Sequence, residues 1–317
     1  MVGFVAPPPG FVTVRAHATG GRCSLVYTEI CEARLIDLHT HTDESDGTSA
    51  PAELVGAAVA LGLEALGITD HDTLAGYDAA APLARQVALD LVCGIELSTK
   101  RRLAAGGRGR SIHVLGYFLG SPPPAEFRAW LEGIRLSRRD RNRRLAERLR
   151  SLGVGVTIEE VERLGRSQAG RPHFARAMVE KGYVASIQEA FDLYLDESAR
   201  AYVEREEPEL AAGIRKLREA GGLASLAHPI RLSRRNPASF EKDLAEMCEM
   251  GLGAIEAYHS DHRWADTEFF LLLARRYGLA VTGGTDFHGD NKPGLALGTG
   301  YGNVAVPRQV LDALRNG

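Results

Sequence analysis

At 317 residues the chain has room for one large α/β barrel or two modest domains. Apolar residues make up 44% and charged residues 25%, an ordinary globular composition, and a net charge of −3 excludes a global attraction to nucleic acid or to a membrane surface. The cysteines Cys23, Cys31, Cys93 and Cys248 form no C-x-x-C pair and no secreted-type spacing, which argues against disulfides and a thiolate metal site and fits a reducing cytoplasm.

In chain order, residues 1–34 carry Pro7-Pro8-Pro9, a Gly-Gly pair and no sustained period, so they are expected to be a poorly ordered extension. The start lacks basic residues before its apolar part, and no apolar run reaches the ~18 residues of a membrane span, so neither a signal peptide nor a membrane segment is expected. From Leu35 the pattern alternates: strand 35–39, helix 51–61 opened by Pro51, strand 64–69, helix 75–88, strand 90–97 and strand 111–118. Segment 121–220 then reads as helical, over 124–151, 157–165, 171–182, 186–194 and 208–220, and is expected to be an insertion. The rhythm resumes with strand 222–227, helix 238–250, strand 253–258, helix 264–277, strand 279–285 and a helix near 307–315. The barrel therefore comprises 35–120 and 221–317, with seven strands read as parallel, an incomplete relative of the eight-stranded barrel.

Nine candidate metal ligands sit on or just past these strands: His39, His41, Asp46, His71, Glu96, His113, His228, Asp286 and His288. His39 and His41 are two apart, as are Asp286 and His288, so on extended backbone each pair faces one side. Glu96 lies in the apolar run Val92–Leu97, where an unpaired carboxylate is expensive to bury and a cation would compensate it. Each histidine alone is unremarkable as a core or loop residue. Together they fall at the C-terminal strand ends, the active face of such barrels, except His113, which sits inside its own run. Imidazole and carboxylate without thiolate suit Mn²⁺, Fe²⁺ or Zn²⁺ better than Mg²⁺ or Ca²⁺, with Mn²⁺ the first choice.

The combination D-L-H-T-H, I-T-D-H-D, G-I-E, A-H-P and G-T-D-F-H resembles the polymerase and histidinol phosphatase (PHP) family over residues 35 to about 300. The resemblance implies a distorted (β/α)7 barrel with two to three divalent ions: His39, His41, Glu96 and Asp286 on one, Glu96, His113 and His228 on a second, Asp46, His71 and His288 on a third. Asp46 stands where some members have histidine. Three carboxylates leave about half the charge of three divalent ions uncompensated, which suits an anionic ester. Ions of this kind lower the pKa of a bound water from 15.7 to about 7 and clamp attacking and leaving oxygens, so no protein nucleophile is needed. The catalytic candidates are then Glu96 and Asp286 within the ligand set and His262 as proton donor, with His259 beside it as a substrate contact.

Specificity is expected in the insertion. Leu131, Ile134, Leu145 and Leu149 mark one face of the first helix, and Arg138 and Arg141 occupy that face where leucine would fit, so an anion is expected there. Arg138, with Arg135 nearby, is assigned to a second phosphate, and Arg171 and His173 to the same ligand at the start of another helix. The Arg-rich helix and His173–Arg176 resemble a PHP subgroup acting on nucleoside 3′,5′-bisphosphates, whose members remove the 3′-phosphate and in some cases trim short RNA from the 5′ end. The expected activity is therefore a metal-dependent phosphatase on a small nucleotide, without an obligate protein partner. Alternatives are a histidinol-phosphate or other small-molecule phosphatase on the same metals, and a non-catalytic metal-binding module. An amidohydrolase barrel also begins with H-x-H but bridges its metals through a modified lysine, and Lys100 is poorly placed for that.

Overall fold

The structure is a computed structural model that describes residues 16–19, 22–25, 35–101, 110–165, 168–235 and 237–317. Strands β1 (Ala16–Thr19) and β2 (Arg22–Leu25) form a small antiparallel pair, and the rest of the 1–34 extension lies outside the described residues. The main sheet takes in β3 (Leu35–Thr40), β4 (Ala65–Ile68), β5 (Asp90–Arg101), β6 (Arg110–Phe118), β7 (Leu223–Leu226), β8 (Ala254–His259) and β9 (Ala280–Gly284). A two-residue strand β10 (Val306–Pro307) lies antiparallel against the outer edge of β3. Hydrogen bonds beyond the last strand close the ring: the Asp286 N–H donates to His39 O (2.8 Å) and the His41 N–H to Phe287 O (2.9 Å). The closure needs Gly284, because a Cβ there would meet the His39 nitrogen at 2.3 Å.

One expectation about direction is corrected. Strand β6 runs antiparallel to both β5 and β7, while β3–β4–β5 and β7–β8–β9 are parallel. The physical reason is the connection: only the eight residues 102–109 lie between β5 and β6, and a parallel neighbour needs a crossover of about a dozen residues or more. The reversal brings the start of β6 to the active face. His113 therefore pairs with Ser98 in register and meets the strand ends although it opens its own run.

Helices α1 (Pro51–Ala60), α2 (Ala75–Gln86), α9 (Pro237–Glu249), α10 (Trp264–Tyr277) and α11 (Arg308–Asn316) cover the barrel, with a short α8 (Ile230–Arg235) before α9. Pro51 starts α1 where a missing N–H costs nothing, and the Glu53 carboxylate accepts the Ala50 N–H (2.9 Å). Between β6 and β7 run α3 (Ala125–Ser151), α4 (Ile158–Gly165), α5 (Arg171–Glu180), α6 (Ile187–Ala190), which continues as a π-turn over 191–195, and α7 (Leu210–Glu219). Two apolar cores divide this region. Phe127, Leu131 and Ile134 of α3 and Leu210, Ile214 and Leu217 of α7 pack with the barrel, beside Ile95, Val114 and Leu226. Leu145 and Leu149, further along α3, belong with Val161, Phe174, Met178, Leu195 and Ala201 in a core of their own. Helix α3 thus spans both, and the Arg138–Asn142 stretch lies between the two cores. Among the described residues no helix is long and apolar enough to cross a membrane.

Candidate metal centre and anion pocket

The strand ends bring all nine sequence-named ligands together. Glu96 is central: one carboxylate oxygen lies 3.2 Å from His39 Nε2 and 3.0 Å from His41 Nε2, the other 2.7 Å from His113 Nδ1 and 2.9 Å from His228 Nε2. Asp286 Oδ1 stands 3.4 Å from both His39 and His41 Nε2. Asp46 faces His288 Nε2 at 3.3 Å and His71 Nε2 at 3.7 Å. His39, His41, Glu96 and Asp286 make one ligand group, and His41, Asp46, His71 and His288 another.

The donors fit divalent ions. His41 Nε2 and His71 Nδ1 are buried without a hydrogen-bond partner, although carboxylate oxygens stand 3.0–3.6 Å away. A lone pair and a carboxylate that face each other in a dry site repel unless a cation lies between them. Burial alone would push the Glu96 carboxyl upward, but the charges of His71, His113 and His39 hold it well below its usual range. Asp286, also fully buried, is held down by Lys292, His39 and His288.

Strain marks the same place. Asp72, His228 and Asp286 are non-glycine residues with φ of +56°, +30° and +58°, and each follows a strand that ends at the cluster. Such conformations cost about 1–3 kcal/mol each and persist where the surroundings over-determine them.

Three buried carboxylates that the sequence reading passed over organise the site. Asp37 accepts from Thr285 N–H, Thr285 Oγ1, Gly298 N–H and His39 N–H, fastening β3 to the segment after β9. Asp70 accepts from Thr42 N–H (2.8 Å) and Thr42 Oγ1 (2.7 Å) and from Ser45, fixing the turn that carries Asp46. Glu256 takes His39 Nδ1 on one oxygen (2.8 Å) and the His228 N–H on the other (2.6 Å), orienting two ligands from two strands. The signal was present, since Asp37 and Asp70 lie within the D-L-H-T-H and I-T-D-H-D runs and Glu256 interrupts the apolar strand 254–257.

A cavity of about 230 Å³ opens above the cluster, with Asp46, His71 and His113 on its floor and Arg138, Arg141, Arg171 and Arg205 on its wall. Asp72 anchors two of these cations, accepting from Arg138 Nη2 and from Arg205 Nη1 (3.1 Å) as well as from Ser98 N–H (2.8 Å). Arg141 is 5% exposed, its Nε has no hydrogen-bond partner, and among the described residues it has no ion pair. Burial together with Arg138, Arg205 and Arg171 holds its pKa well below the ordinary arginine value. Pro172, Phe191, Tyr202 and Val203 complete the outer wall, and the Arg171 guanidinium lies 5.8 Å from the Tyr202 ring centre.

Two substrate-contact expectations, for Arg135 and His173, meet a different geometry. Arg135 is turned away onto Glu132 (Nε–Oε2 2.6 Å), beside a separate groove, because its α3 face points out of the cavity. His173 is buried with Nδ1 accepting the Gly170 N–H (3.0 Å), so it caps α5 and does not line the cavity. His259 lies deeper, inside the metal cluster, with Nε2 3.6 Å from Asp286 Oδ2. The proton-donor expectation for His262 is corrected too. Its Nδ1 donates to the Ala257 carbonyl (2.8 Å) and its ring packs 4.8 Å from Phe270, behind His259. Burial, with His259 adjacent, drops its pKa to about 4, so it holds no spare proton at neutral pH.

The PHP domain family matches residues 37–211. Among curated relatives, the chain is 30% identical to a 5′-3′ exoribonuclease of Haemophilus influenzae (80% of this chain, 89% of that protein) and 35% identical to a phosphoribosyl 1,2-cyclic phosphate 1,2-diphosphodiesterase of Eggerthella lenta (80% and 94%). It is 30% identical to a 3′,5′-nucleoside bisphosphate phosphatase of Chromobacterium violaceum (83% and 90%). A solved structure of a metal-dependent phosphoesterase from Bifidobacterium adolescentis superposes with a TM-score of 0.74 at 30% identity, over 88% of this chain and 94% of that one. With the strand-end ligand cluster, the matched domain and these full-length relatives, the chain belongs to the PHP family of metal-dependent phosphoesterases.

Proposed function

We propose that this hydrolase removes the 3′-phosphate from nucleoside 3′,5′-bisphosphates in the cytoplasm, with trimming of short RNA as the same reaction on a longer substrate. The observation that carries the reading is Arg141, a buried cation with no ion pair among the described residues, set with Arg138, Arg171 and Arg205 across the cavity from the metal ligands. A site with a cationic floor when loaded and a cationic wall calls for a ligand with two separated anionic groups. The relatives from Chromobacterium violaceum and Eggerthella lenta are both named for substrates with two phosphate groups.

The ligand sets are assigned as three ions, Mn²⁺ first: His39, His41, Glu96 and Asp286; Glu96, His113 and His228; Asp46, His71 and His288. Bound there, divalent ions supply Lewis acidity and an activated water for attack at phosphorus. The chain's own residues do the rest. Glu256 and Asp37 hold the β3 histidines in register, Asp70 holds the Asp46 turn, and the arginine wall grips the phosphate that is not hydrolysed. The helices around the 145–203 core serve as a cap that shields the reacting ester from bulk water.

Arg138→Ala tests the reading. It is expected to raise KM for adenosine 3′,5′-bisphosphate by about 100-fold, as for a lost buried charge-assisted contact, and to change KM for a monophosphate little. Equal effects on both substrates would remove the second-phosphate assignment.

A further inference from the structure

The partners of a buried imidazole's nitrogens reveal its tautomer: a nitrogen that accepts a backbone N–H carries no proton, and in the neutral ring the other nitrogen does. In His39, Nδ1 lies 2.8 Å from the Glu256 carboxylate and Nε2 3.2 Å from Glu96; with a cation between Nε2, Glu96 and Asp286, the hydrogen belongs on Nδ1 and the Nε2 lone pair faces the ion. His288 follows the same rule, with Nδ1 donating to the Asp286 carbonyl (2.7 Å) and Nε2 facing Asp46. Both rings are set up as metal ligands.

His259 is inverted. Its Nδ1 accepts the Asp261 N–H at 3.0 Å, and the Asp261 carboxylate, 3.9 Å away, is beyond hydrogen-bond reach. The proton therefore sits on Nε2, which is buried without a hydrogen-bond partner and lies 3.6 Å from Asp286 Oδ2. A nitrogen that carries hydrogen has no lone pair for a metal, although His39, Glu256 and His259 lie close enough to hold an ion between them.

We propose that His259 is a catalytic hydrogen-bond donor, not a metal ligand: Nε2–H at the end of β8 is aimed into the cluster, where it meets an oxygen of the phosphoryl group. The proposal rests on the phosphoesterase reading. Placement on a strand end opposite Gly284, with the His262 ring 5.4 Å behind it, keeps the ring orientation fixed. No proton leaves the ring in this role, because Nδ1 is occupied by the Asp261 N–H and cannot take one up in exchange. The contribution is a hydrogen bond that strengthens as negative charge builds on the phosphoryl oxygens. The proton for the leaving alkoxide comes from water.

Two measurements decide it. Long-range ¹⁵N–¹H correlation spectra of the Zn²⁺-loaded protein, with His259→Gln for assignment, should show His259 protonated on Nε2 and His39 and His288 protonated on Nδ1. His259→Leu should bind as many ions as the wild type, with kcat lowered about 10²–10³-fold, the cost typical of one lost donor. His259→Gln, which keeps a side-chain N–H, should recover at least about tenfold of that loss. A His259 protonated on Nδ1, a lost ion equivalent in His259→Leu, or an unchanged kcat would each overturn the proposal. A wild-type protein that takes up no divalent ion would instead sink the phosphoesterase reading, while the tautomer, read without substrate, still decides His259.

Discussion

The metal cluster and the arginine wall are both buried polar surfaces facing one cavity, yet they fail to balance in opposite senses. At the strand ends, imidazole lone pairs and carboxylates crowd together around Glu96 and Asp286 with too few hydrogens to separate them. Across the cavity stand four guanidinium groups, of which Arg138 and Arg205 pair with Asp72 and Arg205 also with Glu207. On the proposed reading, the first surface is completed by cations and the second by anions, and a metal-bound ester with a second phosphate would complete both. Asp72 joins them, because it follows His71 in the chain and its carboxylate accepts from Arg138 and Arg205.

The comparison breaks most completely at Glu96. Glu96→Ala should cost the protein divalent metal, measured by elemental analysis, and lower kcat by about 10³-fold, the several kcal/mol that ion chemistry supplies. Arg141→Met strikes the other surface, with opposite signs in two assays. KM for a 3′,5′-bisphosphate should rise about 100-fold, while the phosphate-free protein should melt a few °C higher, because an unpaired buried charge has gone.

Smaller effects sharpen the contrast. Glu256→Gln should weaken metal affinity about 10–100-fold by titration calorimetry without altering KM, since Glu256 touches His39 and His228 and not the cavity. His262 separates structure from chemistry. Burial depresses its pKa from 6.5 to about 4, so the unfolded chain binds its proton first as pH falls. Its contribution to stability is full above about 6.5 and is lost as pH drops toward 4. His262→Phe should flatten melting temperature over that window and leave kcat within about threefold; a collapse of kcat would restore it as a proton donor.

Much of the site was legible because strand ends concentrate function: D-L-H-T-H, G-I-E and G-T-D-F-H each place a polar residue where a strand must stop being apolar. Strand direction was less so. The short stretch between the strands read at 90–97 and 111–118, too short for a crossover, carried the reversal of β6, and His113 inside its run was its second sign. Arg138 and Arg141 could be placed by helical period, since that face of α3 is buried. Arg205 could not, because it lies in irregular chain with no period, and only the fold brings it to Asp72. That His259 and not Tyr258 is turned into the cluster goes with the bulge between Glu256 and Tyr258, a one-residue shift of register that sequence spacing does not reveal.

The most direct measurement is phosphate release by the Mn²⁺-reconstituted protein from adenosine 3′,5′-bisphosphate and from adenosine 3′-monophosphate, in wild type and in Arg141→Met. The account predicts metal-dependent hydrolysis, a preference of about 10² in kcat/KM for the bisphosphate, and loss of most of that preference in the variant. No hydrolysis by protein shown to hold its ions, or a preference that survives the loss of Arg141, would contradict it.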